Sequence, residues 1–186
     1  MRVRIFAHAS VVLVITGLAV GCARQAEPRY AALHAELAML HTEAADARAQ
    51  NAIRGLMHAY GRLIDARDWD GFAALWTNDA AYAAGPGRDT LKGGPAIASF
   101  LRNVISSNPA GVGEPNFHVF FNEEIHVTGD KARATSMSTF IAPAASGAPV
   151  IVVLARYEDE YVLKDAGWKF QSRIVHGKLP ARQPQP

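Results

Sequence analysis

The feature that most constrains the fold is a change in hydrophobic period near Pro115. Before it, apolar residues recur every three or four positions in three segments, at residues 53–64, 69–76 and 97–104. After it the period is two, which predicts four strands, at residues 117–127, 132–141, 150–163 and 168–175. Helices followed by a run of long strands predict an α+β fold, with three helices packed on one face of a curved, mostly antiparallel sheet.

The connection between the second and third helices is rich in turn-forming residues. Asp68 stands where it would cap the second helix, and Pro95 suits the first turn of the third. Between them the sequence predicts a turn at residues 77–79, a short strand at 80–84 and a glycine-rich loop at 85–94.

The first two dozen residues have the pattern of an export signal. Two arginines precede an apolar run at residues 11–20, which is too short for a bilayer that needs about 20 apolar residues. The run ends at Gly21-Cys22, and residues 18–22 resemble a bacterial lipobox, whose cysteine is acylated. We expect residues 1–21 to be a signal peptide and Cys22 to carry lipid, with ordinary secretory cleavage near the same place as the alternative.

The charge balance and the single cysteine restrict the kinds of binding partner that we expect. The whole chain has 19 Lys and Arg against 17 Asp and Glu, and removal of residues 1–21 takes away two arginines, which leaves a formally neutral protein. No basic stripe is present, so nucleic-acid binding is not expected. One cysteine forms no internal disulfide. We therefore expect a lipid-anchored protein of the cell envelope that faces the periplasm or lies on the outer membrane, with lipid as its link to the membrane.

Residues 28–49 predict an exposed helix with a narrow apolar seam. The seam has strict three-four spacing and consists of Tyr30, Leu33, Leu37, Leu40, Ala44 and Ala47. Two interpretations stay open, a stalk or short coiled coil and a helix packed on its own domain. The predicted organisation is a signal peptide at 1–21, a lipidated stalk at 22–50, a globular domain at 51–177 and a loose tail at 178–186.

Five stretches of the globular part resemble the nuclear transport factor 2-like superfamily in its SnoaL-like, polyketide-cyclase-like branch. They are residues 60–70, residues 75–80, residues 93–97, His118 with Asn122, and residues 167–170 with Arg173. The resemblance implies a cone-shaped domain in which the curved sheet and the helices enclose a pocket. It also implies a homodimer, because such domains are often dimeric.

The same resemblance points to a candidate catalytic set. Some members of the branch are cofactor-free dehydratases, isomerases and cyclases whose pocket holds a tyrosine, an aspartate and a histidine, and Tyr60, Asp65 and His118 match those positions. Histidine titrates near neutral pH and can take a proton next to a carbonyl, while a phenol can donate a hydrogen bond to the enolate. Further residues expected to line the pocket are Trp69, Trp76, Phe120, Asn122 and Arg173.

Each candidate also has a simpler structural interpretation. Tyr60 lies on the apolar face of its helix and would serve equally as a core residue. Asp65 is about 140° around an ideal helix from Tyr60, so it suits a helix end as well as a pocket. Strand alternation turns Arg173 away from Trp168, Phe170 and Ile174, so only a bulge or a pocket on the polar face would bring it in.

The sequence departs from two catalytic patterns of the superfamily. Steroid isomerase-like and cyclase-like members carry a carboxylate base on a middle strand, but residues 132–141 contain no Asp, Glu or His. The arginine flanked by two aspartates of limonene epoxide hydrolase-like members is not evident either. His118 is left as the candidate base.

Two functions remain open. One is a cofactor-independent lyase or isomerase acting on a small hydrophobic carbonyl compound, and the other is a periplasmic module that binds such a molecule without changing it. A scaffold that pairs through the helix at 28–49 is a third, weaker interpretation. No metal and no cofactor are expected. The glycines at 85–87 fit no nucleotide-binding motif, no histidine pair has metalloprotease spacing, and one cysteine cannot build a zinc or iron–sulfur site.

Overall fold

The computed structural model describes residues 10–108, 113–165 and 167–179, with side chains from residue 28. The chain divides into two compact units, residues 1–46 and residues 47–186. Its elements are helices α1 (Ser10–Asp65), α2 (Trp69–Ala73) and α3 (Gly94–Ser107), and strands β1 (Trp76–Ala83), β2 (Thr90–Lys92), β3 (Phe117–Thr128), β4 (Lys131–Pro143), β5 (Pro149–Lys164) and β6 (Gly167–Leu179).

Helix α1 is continuous where the sequence predicts separate helical segments. Residues 49–53 hold neither proline nor glycine, so nothing in the chain ends the helix between the predicted stalk and the first helix of the globular unit. The stalk seam is exposed at Tyr30, Leu33, Leu37 and Leu40. No helix in the described part of the chain is long and apolar enough to cross a membrane. The predicted signal peptide falls partly on residues 1–9, outside the described residues, and stays a prediction.

The short elements after α1 are partly as predicted. Asp68 caps α2 as expected, since its Oδ1 accepts from the backbone N–H of Gly71 at 2.9 Å. The predicted turn at 77–79 is wrong, because β1 already begins at Trp76 and pairs in parallel with β6. Strand β2 was not predicted and forms inside the glycine-rich loop, where it pairs antiparallel with β1.

Helix α3 begins as expected, with proline in its first turn. It can start there because Gly94 has no side chain. A Cβ at this position would lie 2.1 Å from the carbonyl oxygen of Ala73. The close approach brings the first turn of α3 against the end of α2.

The strands form one six-stranded sheet in the order β2-β1-β6-β5-β4-β3. All neighbouring pairs are antiparallel except β1 with β6. This confirms the predicted α+β class and the mostly antiparallel sheet. Of the predicted tail, residues 178 and 179 continue β6, and residues 180–186 lie outside the described residues.

The core of the second unit lies between the helices and one face of this sheet. Helix α1 contributes its apolar face, with Ile53, Met57, Tyr60 and Ile64 each at most 2% exposed. Aromatic rings pack edge to face around Tyr60, the nearest being Phe72 with ring centroids 5.0 Å apart. This packing fixes the last turns of α1 against the sheet, where the candidate site lies.

Candidate active site

A cavity of about 660 Å³ lies in the second unit, bounded by the end of α1, by α3 and by β3, β4 and β5. Most of its wall is apolar, with Ile64, Ala84, Phe100, Leu101, Val104, Ile105, Phe140, Val152, Val153 and Val175. Polar groups are fewer and include the side chains of Tyr60, Tyr82, His118, Ser138 and Tyr157. The cavity is thus suited to a small, mostly apolar molecule that presents few polar atoms.

Asp65 and His118 form a hydrogen-bonded pair at this wall. Asp65 is the last residue of α1 and His118 the second of β3. One oxygen of the carboxylate, Oδ1, lies 2.6 Å from the ring Nδ1, and the other, Oδ2, accepts from the backbone N–H of His118 at 2.8 Å. Because a carboxylate can only accept, Nδ1 carries the proton and Nε2 is the basic nitrogen of the neutral ring. Among the residues that the structure describes, the recorded hydrogen bond of this ring is made by Nδ1.

The approach of α1 to β3 depends on a glycine one turn before Asp65. A Cβ on Gly61 would lie 2.9 Å from the Cβ of His118 and 3.3 Å from a ring carbon of Phe120. The absent side chain lets the helix rest directly on the strand. The helix then ends with Asp65 beside the imidazole, whose other side lies against Phe140 with ring centroids 4.9 Å apart.

Tyr60 and His118 line the same cavity, as the catalytic interpretation requires, while Asp65 lies behind the imidazole and outside the wall. Burial raises the pKa of the Tyr60 hydroxyl well above its ordinary value, the phenols of Tyr82 and Tyr157 raise it further, and Arg173 opposes the change. Tyr60 therefore stays protonated at neutral pH. It can donate a hydrogen bond.

Strand alternation would turn Arg173 away from Phe170 unless a bulge intervened, and β6 has such a bulge. In the strand register, Arg173 lies opposite Asp159 and Phe170 lies opposite Tyr161. From Phe170 to Arg173 β6 advances by three residues, while β5 advances by two. The extra residue, Gln171, forms a bulge that turns Arg173 to the same face as Phe170. Arg173 is fully buried, whereas Ile174 is 37% exposed on the opposite face, as alternation predicts.

Arg173 belongs to a buried ion pair that the sequence analysis missed. Its Nε and Nη2 donate to Oδ1 and Oδ2 of Asp159, each at 2.7 Å, and Tyr161 donates its hydroxyl to the same carboxylate at 2.7 Å. Burial lowers the pKa of Arg173, but Asp159, together with Tyr60 and Tyr161, raises it, and the net pKa lies well above its ordinary value. The alternation of Tyr157, Asp159 and Tyr161 along β5 is the sequence signal that could have revealed a buried acid here.

The other predicted pocket residues do not line this cavity. Trp76 and Phe120 pack on the ring of Tyr60, with centroid distances of 6.2 and 5.9 Å. Trp69 is partly buried at the start of α2. Asn122 is exposed and has a φ of 53° within a β-bulge of β3. Arg173 lies behind the wall, against Tyr60.

A polar edge of the cavity was also missed. Arg67 follows α1 with a φ of 60°, and its guanidinium donates to the carbonyl of Ile64 at 2.9 Å and to the side chain of Asn116 at 3.3 Å. It also forms an ion pair with Glu114 at 2.6 Å. The residues that the structure describes contain no group of three or more His, Cys, Asp or Glu side chains placed to hold a metal ion.

Comparison with known proteins gives a family and a fold. Residues 45–174 match the profile of the family described as SnoaL-like domain. An NTF2-like protein with a cystatin-like fold from Novosphingobium aromaticivorans is 25% identical, with a TM-score of 0.66 over 77% of this chain and 90% of that one. LinA is 22% identical, with a TM-score of 0.60 over 76% and 96% of the two chains. Aln2 from a Streptomyces species is 19% identical, with a TM-score of 0.61 over 69% and 89%. No curated protein matches the chain.

Proposed function

The chain belongs to the SnoaL-like domain family of the NTF2-like superfamily, and from this premise we propose that it is a cofactor-independent lyase or isomerase, similar to a dehydratase. Its substrate is a small, mostly apolar carbonyl compound. The observation that carries the proposal is the 2.6 Å hydrogen bond between Asp65 and His118, because the imidazole lines a largely apolar cavity that Tyr60 also lines. A cavity of about 660 Å³ fits a molecule of this size.

The proposed chemistry begins with proton transfer to His118. Its Nε2 removes a proton from the carbon next to the carbonyl, and the electron pair of the broken C–H bond moves onto the carbonyl oxygen as an enolate. The hydroxyl of Tyr60 donates a hydrogen bond to that oxygen. Asp65 stabilises the imidazolium that forms, because its carboxylate already accepts from Nδ1.

Two outcomes follow from the enolate. When a leaving group stands on the next carbon, the electron pair returns, the C–O bond to that group breaks and the imidazolium supplies its proton, so the elements of water leave. When no leaving group is present, the imidazolium returns its proton to a different carbon and the compound is isomerised. One histidine serves as base and then as acid in both cases.

The alternative, a binding module with the same cavity, has one observation in its favour. The inward-facing side chains of β4 that meet the cavity are Ser138 and Phe140, so the middle strand supplies no carboxylate as a second proton carrier. A cavity of this kind would bind a hydrophobic molecule whether or not it reacts.

A ligand search with matched histidine variants separates these functions. The purified protein is equilibrated with a cell extract, and the retained small molecules are identified by mass spectrometry for wild type, His118→Ala and His126→Ala. The second variant is the control, because His126 lies on the same strand with its side chain 73% exposed. We expect a compound that wild type and His126→Ala convert and that His118→Ala only binds.

Two other outcomes of the ligand search would contradict the enzymatic function. Retention of one compound unchanged by all three proteins would make the chain a carrier. Retention of nothing would contradict both functions of the cavity.

We further propose export and lipid anchoring through Cys22, as the lipobox-like residues 18–22 support. Cys22 is the only cysteine of the chain, so Cys22→Ser leaves no residue for thioether acylation. In bacteria fed radiolabelled palmitate, the wild-type protein is expected to incorporate label and fractionate with membranes, and the variant to do neither. Secretion of an unlabelled, cleaved wild-type protein would instead show ordinary signal-peptide processing.

A further inference from the structure

A buried cation lies directly behind the tyrosines of the cavity wall. The Cζ of Arg173 is 4.2 Å from the ring centroids of both Tyr60 and Tyr157, and 4.6 Å from that of Phe170. Tyr60 and Tyr157 line the cavity, whereas Arg173 is fully buried. One layer of aromatic rings therefore separates the guanidinium from the ligand space.

The ion pair is oriented with its positive end toward these tyrosines. Asp159 engages Nε and Nη2, on one edge of the guanidinium, and accepts a further hydrogen bond from Tyr161, which does not line the cavity. The nitrogen on the other edge, Nη1, is buried and makes no hydrogen bond of normal geometry within the described residues. In a low-dielectric interior such a charge acts over several ångströms.

The contributions of Arg173 and Asp159 to the pKa values of the surrounding tyrosines agree with this orientation. Burial raises the pKa of Tyr157, and Arg173 opposes that change more strongly than Asp159 adds to it. Burial also raises the pKa of Tyr161, but there Asp159 adds to the increase more strongly than Arg173 opposes it. The cavity side of the pair is positive and the far side negative.

We propose that the ligand is a phenol or an enolisable carbonyl compound whose oxygen binds at Tyr60 and Tyr157 as an oxyanion, and that Arg173 is the positioning residue that stabilises this charge through them. The inference rests on the cavity of the proposed function and adds the chemical class of its ligand. A cation behind the ring makes a tyrosine hydroxyl a stronger hydrogen-bond donor to an oxyanion. A hydrocarbon without such an oxygen gains nothing from Arg173.

The basic side chains that line the cavity itself already have carboxylate partners. His118 lies against Asp65, and Arg67 against Glu114. Tyr82 is the remaining titratable group of the wall, and burial raises its pKa, so it stays neutral. Arg173 also has a carboxylate partner, but its unpaired nitrogen lies on the side away from that partner.

The test uses 4-nitrophenol, whose phenolate absorbs visible light, and the full-length protein in detergent. The pH titration of the bound probe is followed by absorbance, beside the free probe. We expect the wild-type protein to bind the phenolate about tenfold more tightly than the phenol, which lowers the pKa of the bound probe by about one unit. Arg173→Lys retains a cation and should retain the preference. The paired variant Asp159→Leu/Arg173→Met removes both charges of the buried pair and should lose the preference.

The outcomes distinguish this inference from the proposed function. Arg133→Met, which removes a cation that is 82% exposed and does not line the cavity, should keep the preference for phenolate. An unshifted pKa of the wild-type-bound probe, or no saturable binding, overturns the inference even if the paired variant fails to fold. If a compound is converted in a reaction that needs His118 but the protein shows no preference for phenolate, the inference alone is contradicted. If the protein prefers phenolate but converts no compound, only the proposed function is contradicted.

Discussion

Arg173→Met alone is expected to lower the free energy of unfolding by about 3–5 kcal/mol, because it leaves the carboxylate of Asp159 buried without its partner. Both side chains of the pair are fully buried, so water cannot replace the lost guanidinium. The hydroxyl of Tyr161 would be the one remaining donor recorded to this carboxylate among the described residues. Urea denaturation followed by circular dichroism measures the change.

Two variants control this prediction. Arg133→Met breaks the ion pair of Arg133 with Glu160, whose side chains are 82% and 50% exposed, and should cost less than about 1 kcal/mol. The double variant Asp159→Leu/Arg173→Met removes both buried charges and should recover most of the stability lost by Arg173→Met. Equal losses for Arg173→Met and Arg133→Met would show that the buried pair is not ionised as described.

His118→Ala is expected to lower kcat for the compound found in the ligand search by about 10²–10⁴-fold, the usual contribution of a general base. The Michaelis constant should change little, because most of the cavity wall is apolar and does not depend on the imidazole. Asp65→Asn should also lower kcat, since an amide carries no negative charge to stabilise the imidazolium. Steady-state kinetics of the purified variants measures both effects.

The matched control is again His126→Ala, which should retain wild-type kcat because the side chain is 73% exposed. A wild-type kcat in His118→Ala would contradict the proposed mechanism. A rise in the Michaelis constant with kcat unchanged would assign His118 to binding alone.

The main elements of the fold were predictable because their signals are local. The amphipathic face of residues 53–64, the cap at Asp68 and the four long strands all follow from period and turn chemistry within a few residues. Strand β2 was missed because three residues in a glycine-rich loop carry no period. It exists through its pairing with β1, a contact that no local pattern encodes.

The candidate site was predictable in part. Tyr60 and His118 were named from the family resemblance, and they do line one cavity. The position of Asp65 was ambiguous, because its angle to Tyr60 on an ideal helix is uninformative at a helix end. Gly61 and the termination of α1 decide that the carboxylate meets the imidazole.

Arg173 shows most clearly what the sequence could not supply. By itself the sequence determined the α+β class, the order of the elements and the residue types available for proton transfer, because these depend on neighbours along the chain. The bulge at Gln171 and the pairing of Asp159 with Arg173 depend on the register between two strands. Only the tertiary structure decided them, since a one-residue difference in register turns a side chain from one face of a sheet to the other.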